Sequence, residues 1–156
     1  MKVQKSSRHS KITGDFGEAL VLYLLSKHGF ECALVDHTGI DIIARRPRSD
    51  EVMGISVKSR SRMPGKEKDH LALPKREFAQ AKKACAAFGC VPYFAIVVDG
   101  GDAIRTFLLP MRHLLKIFPG GKKTSAWQMS DNYLKRYYRD SEILIFELAA
   151  RGTNWY

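Results

Sequence analysis

Two short stretches constrain this chain more than any others. They are Gly39-Ile40-Asp41-Ile42-Ile43-Ala44 and Gly54-Ile55-Ser56-Val57-Lys58-Ser59-Arg60. The interval from Arg45 to Met53 is rich in Pro, Arg, Ser and Asp, which predicts a turn joining two antiparallel strands. Strand side chains alternate between faces, so Ile55, Val57 and Ser59 share one face, and Ser56, Lys58 and Arg60 the other. Adjacent strands of an apolar sheet would then carry Asp41 and Lys58. A buried charge is costly unless it is paired or binds a metal, so this pair is either an ion pair across the strands or part of a site.

Composition narrows the choice. With 156 residues, 45% of them hydrophobic, the chain can bury the core of one domain spanning residues 1–156. It contains no apolar run near the roughly 18 residues of a membrane span, so no membrane role is expected. Residues 1–12 carry Lys2, Lys5, Arg8 and Lys11 with no apolar segment behind them, and read as a basic, flexible arm rather than a secretion signal. Cys32, Cys85 and Cys90 are too scattered for a disulfide framework and suit reduced thiols in the cytoplasm. The net charge of +10 points to an anionic partner. Residues 45–75 hold nine Lys and Arg against four acids, beside the Asp41 and Lys58 strands, which favours nucleic acid over a merely solvated basic surface. On charge alone RNA would serve as well as DNA.

In order, the pattern predicts a helix from Gly14 to His28, with Phe16, Leu20 and Leu24 on its apolar stripe. Glu18 and Asp15 have the spacing of a capping box at its start. Strands at 30–35, 40–44 and 53–60 follow as a meander, then a basic loop to Leu73 and a helix over 75–88 closed by Gly89. The wholly apolar run 91–98 should be a buried central strand. A strand at 104–109, a helix at 111–118, a loop to Ser130, a helix at 131–140 and a strand at 143–148 complete the chain. The fold class is α/β: a mixed sheet flanked by helices, with an α-β-β-β-α-β core and a C-terminal β-α-α-β extension.

A helix bearing Glu18, a hairpin bearing Asp41, the strand Ile-Ser-Val-Lys-Ser-Arg, then a helix and an apolar strand, resemble the PD-(D/E)XK nuclease superfamily over residues 13–98. Within it the likeness is to archaeal Holliday-junction resolvases and related restriction-endonuclease-like proteins. The resemblance implies Mg²⁺- or Mn²⁺-dependent hydrolysis of DNA, with Asp41 and Glu18 as metal ligands and Lys58 positioning the attacking water. It also implies a two-fold homodimer on branched DNA.

Two positions depart from the motif. Ile40 replaces its Pro, with little chemical consequence. Ser56 replaces its second acid, and a hydroxyl cannot supply the negative charge a hard cation favours. Mg²⁺ is commonly held by one or two carboxylates plus phosphate, so Asp41 and Glu18, with the Val57 carbonyl, would meet that minimum. Asp36, Glu31 and Glu51 are candidates for a further carboxylate. The competing reading is a catalytically inactive nuclease fold that serves as a nucleic-acid-binding module. Arg45, Arg46, Arg60, Arg62, Lys66 and Lys68 are the expected nucleic-acid contacts. Gln80 either supports the site from the second helix or is an exposed helical residue. Tyr133, Tyr137 and Tyr138 form either a base-stacking surface or a core stripe.

Overall fold

The computed structural model describes residues 4–154. Trp155, which the sequence reads as a terminal packing lid or an interface anchor, lies outside the described residues. The elements are α1 (His9–Lys27), β1 (Glu31–His37), β2 (Ile40–Arg45), β3 (Val52–Ser61), β4 (Leu71–Pro74), α2 (Lys75–Phe88), β5 (Val91–Asp99), β6 (Ala103–Pro110), α3 (Met111–Ile117), β7 (Thr124–Trp127), α4 (Asp131–Tyr137) and β8 (Leu144–Ala149).

Six strands make a mixed sheet in the order β1-β2-β3-β5-β6-β8, and β4 pairs with β7 in a separate two-stranded sheet. The β3–β5 pair is parallel, Met53 opposite Val91 through Ser61 opposite Asp99, and the other neighbours in the large sheet are antiparallel. A parallel neighbour requires a crossover, which β4 and α2 supply. Central β5 is apolar from Val91 to Val98, and both of its faces are covered from Tyr93 onward. Tyr93, Ala95 and Val97 pack with Leu20, Val21, Leu24 and Leu25 of α1. Phe94, Ile96 and Val98 pack with Phe78 and Ala81 of α2 and with Leu114, Trp127 and Tyr137 of the C-terminal extension. The restriction-endonuclease-like architecture expected from the sequence is the one observed.

Four local readings need correction. The helix α1 opens at His9, not Gly14, so part of the expected arm is helical. Asp15 therefore lies inside the helix, paired with Lys11 at 2.8 Å, and Glu18 belongs to no capping box. The buried stripe of α1 is Gly17, Leu20, Val21, Leu24 and Leu25, which leaves Phe16 exposed. The reason is Gly17: a Cβ there would run into Ser59 of β3, its Cβ only 2.9 Å away, so the bare backbone must face the sheet. Finally, β4 and β7 occupy segments expected to be loops, and Trp127 is a fully buried core residue. Tyr137 stacks on Trp127 at 4.3 Å and is buried, so the tyrosine spacing marks core, with Tyr138 left exposed. Among the described residues no helix is long and apolar enough to cross a membrane.

Candidate active site

The site forms where two strands separate. β2 and β3 are paired from Arg45 opposite Val52 to Ile42 opposite Ile55, and the pairing ends there. The β1–β2 connection distorts at the same level: the register of β1 shifts between Leu34 and His37, with Asp36 at φ 42° and Gly39 at φ 101°. Asp41 fills the gap, its Oδ2 accepting the Val57 N–H at 2.6 Å. Within a strand the N–H and C=O of one residue point the same way, so the Val57 carbonyl opens on the same gap. Burial pushes the Asp41 carboxyl above the usual carboxylate range. The Val57 N–H and the Lys58 charge pull it back, while Asp36 and Glu77 push it further up.

Two more carboxylates approach this gap. Glu18, on α1, lies near enough to feel the Asp41 charge: burial first, then the charges of Asp41, Asp15 and Asp36, raise its carboxyl, while Lys11 lowers it. Glu77 comes from the first turn of α2, on the other face of the sheet. Lys58 Nζ lies 3.1 Å from Glu77 Oε2, and both side chains are about three-quarters buried. Of the two alternatives for this pair, a direct Lys58–Asp41 ion pair is not formed: Lys58 pairs with Glu77. Glu77 Oε2 is fully buried and has no hydrogen-bond donor among the described residues, so the ammonium charge and the helix N-terminus stabilise it. Ser56, 2% exposed, lies on the same face of β3 as Lys58. It supplies a buried hydroxyl and no charge.

Glu77 was not on the list of candidates drawn from the sequence, although a signal existed. Residues 77, 81, 84 and 85 share one face of a helix, so Glu77 continues the buried Ala81, Ala84 and Cys85 stripe. An acid in a first turn reads most simply as favourable with the helix dipole, and that reading hid it. Of the other proposed acids, Asp36 is exposed but close enough for its charge to raise both Asp41 and Glu18. Glu51 accepts from the Tyr93 hydroxyl at 2.9 Å, and Glu31 pairs in register with Arg45, both at the far end of the strands. Gln80 is exposed; its backbone, not its side chain, serves the site by packing against Gly39.

The expected nucleic-acid contacts fall into two groups. Arg45 and Arg46 lie at the opposite end of β2 from Asp41 and pair with Asp50 and Glu51. Arg60 and the loop bearing Arg62, Lys66 and Lys68 continue from β3 past Lys58. Arg60 is exposed, Arg62 donates to the Asp69 and His70 carbonyls, Lys66 faces Asp69, and Lys68 pairs with Asp131 at 2.6 Å. From the N-terminal segment, Lys5 Nζ donates to the Ser61 carbonyl at 2.6 Å and so lies along the same strand end.

A divalent cation can be tested against these donors. Glu18, Asp41 and Glu77 are hard oxygen donors; burial first, and neighbouring negative charge after it, raises the carboxyls of the first two. They are not drawn together: among the described residues no three or more His, Cys, Asp or Glu are grouped closely enough to hold a metal. The donor atoms are of the hard-oxygen type that divalent cations take, but as placed, with Glu77 turned to Lys58, they do not form a closed metal-binding group.

The raised carboxyls carry a sign that can be measured. A carboxyl whose folded-state pKa exceeds its unfolded value stabilises the fold below the unfolded pKa, and that contribution is lost as pH rises through the folded one. Glu18→Gln removes one such group. In chelator-containing buffer its thermal midpoint is expected to exceed that of the wild type at pH 7 and to converge with it toward pH 4. Equal midpoints at both pH values would show that burial and the neighbouring acids do not raise the Glu18 carboxyl.

Neither a protein-family model nor a curated protein sequence matches the chain. Among solved structures, it is similar to the Holliday junction resolvase Hjc of the archaeal hyperthermophile Archaeoglobus fulgidus. The TM-score is 0.54 with 24% sequence identity, over 74% of this chain and 83% of that one. The likeness is one of fold.

Proposed function

We propose that this protein is a divalent-metal-dependent nuclease that hydrolyses phosphodiester bonds of DNA, with branched DNA as its substrate class. The observation that carries the reading is that Glu18 and Glu77, from two separate helices, each lie within electrostatic reach of Asp41, with Lys58 paired to Glu77 beside it. Those carboxylates would hold Mg²⁺ or Mn²⁺, with the Val57 carbonyl as a neutral donor, so Glu77 stands in for the acid that Ser56 lacks. When bound, the cation would lower the pKa of a water and take up charge on the phosphoryl oxygens. Lys58, a compact charge on a flexible stem, would orient the attacking water or contact the phosphate. Arg60, Arg62, Lys66 and Lys68 would track the nucleic-acid backbone away from the gap. The resemblance to a junction resolvase supports branched DNA and a homodimer as the working form. The charge pattern would accept RNA.

The alternative reading, a binding module without catalysis, is favoured by one observation: Lys58 is already engaged by Glu77, and the carboxylates remain apart. The deciding assay incubates the wild type with branched and linear duplex DNA in Mg²⁺ and in Mn²⁺. Metal-dependent nicking, stronger on the branched substrate, is the expected result. Salt-sensitive binding that Asp41→Ala leaves unchanged, with no cleavage in either metal, would establish the binding module instead.

A further inference from the structure

The C-terminus of α2 ends in a left-handed Gly89 at φ 64°, and the Cys90 N–H returns to the Cys85 carbonyl at 3.0 Å. This helix-ending loop usually sets an apolar side chain after the glycine against one in the last turn. Here both of those side chains are thiols. They meet the same point on β3: a Cβ added to Gly54 would lie under 3.0 Å from the sulfur of Cys85 and from that of Cys90. Cys85 is 2% exposed and Cys90 half-buried. The third cysteine, Cys32, lies apart, in β1 against the Leu22 carbonyl of α1.

We propose that Cys85 and Cys90 form a modification site, an intramolecular disulfide made by reaction with a hydroperoxide. The assignment does not depend on the nuclease reading. Burial and the neighbouring Cys90 thiol push Cys85 up to about 12, so Cys85 stays protonated and the more accessible Cys90 reacts first. The Cys90 sulfur attacks one peroxide oxygen, the O–O bond breaks, and a sulfenic acid forms as water or alcohol leaves. The Cys85 sulfur then attacks the Cys90 sulfur. The S–S bond forms, the S–O bond breaks, and the hydroxyl departs as water with the Cys85 proton. Two thiols lose two electrons and the hydroperoxide gains them. The bond would lie beneath Gly54, on the face of β3 that also carries Ser56 and Lys58, and would fasten the end of α2 to the adjoining start of β5.

The test treats the reduced full-length chain with hydrogen peroxide, then denatures it, alkylates with N-ethylmaleimide and measures intact and peptide masses. The expected product takes one alkyl group, on Cys32, while the peptide containing residues 85 and 90 is two hydrogens lighter and regains two alkylation sites after dithiothreitol. In Cys85→Ser, Cys90 should accumulate as a sulfenic acid that dimedone traps. Three alkylated cysteines, a disulfide between chains, or Cys90 oxidised to sulfinic acid while Cys85 stays alkylatable would each overturn the proposal. Because the readout is mass, the site stands or falls whether or not the chain cuts DNA.

Discussion

Replacing Glu77 with alanine is expected to lower metal-dependent cleavage by roughly 100-fold or more, about as far as Asp41→Ala. The expectation follows from the position of the side chain at the buried head of α2, where it faces Lys58 and adds to the charge felt by Asp41. The substitution removes a carboxylate from the gap and leaves the Lys58 ammonium without its partner. Folding suffers too, since removing one partner of a largely buried pair leaves the other uncompensated at a cost of up to about 3–5 kcal/mol, so rates are compared well below the variant's own midpoint. Gln80→Ala, on the exposed side of the same helix, is the control and should cut at the wild-type rate. Rates come from single-turnover nicking, with thermal midpoints measured in parallel. Wild-type cleavage by Glu77→Ala would reduce that residue to a counter-ion for Lys58 and leave the metal to Asp41 and Glu18.

Gly39→Ala should be among the most damaging small substitutions for stability, at about 3 kcal/mol, or a fall of about 6–12 °C in thermal midpoint. Two costs combine. At φ 101° an L side chain is strained, and the new Cβ would sit 2.5 Å from the Gln80 carbonyl carbon and oxygen and 2.8 Å from the Ala81 nitrogen. Those atoms are backbone and cannot swing aside. Gly65→Ala separates the two costs: its φ of 83° carries the strain, but open space surrounds it, so it should lose only about 1 kcal/mol. Because Gly39 lets α2 lie against the hairpin that leads into Asp41, its substitution should also weaken cleavage by moving Glu77 away from the gap. Equal midpoints for the two variants would refute the close approach.

Where periodicity was strong, the sequence could be read almost residue by residue. The helix at Lys75–Phe88 and the apolar β5 strand lie where the pattern puts them, because each buries a continuous face. The strands β4 and β7 are not legible: each has four residues and is defined by the other, fifty or more positions away. The site shows the same division. Asp41 and Lys58 could be read because a charge inside an apolar strand pattern stands out. Glu77 could not, because an acid at a helix start already has a local explanation. Arg45 and Arg46 were grouped with Arg60 by nearness in sequence, whereas the antiparallel strands carry them to opposite ends of the sheet.

One rung of the sheet is completed by a side chain. With β2 turned aside above Ile42, the main-chain donor of residue 57 would face empty space if the carboxylate of residue 41 did not accept from it. Asp41 is therefore scaffold, and in the proposed nuclease reagent as well, so truncating it would harm both roles together. Asparagine at that position keeps an oxygen for the rung while surrendering the charge, and so parts the architecture of the gap from its chemistry.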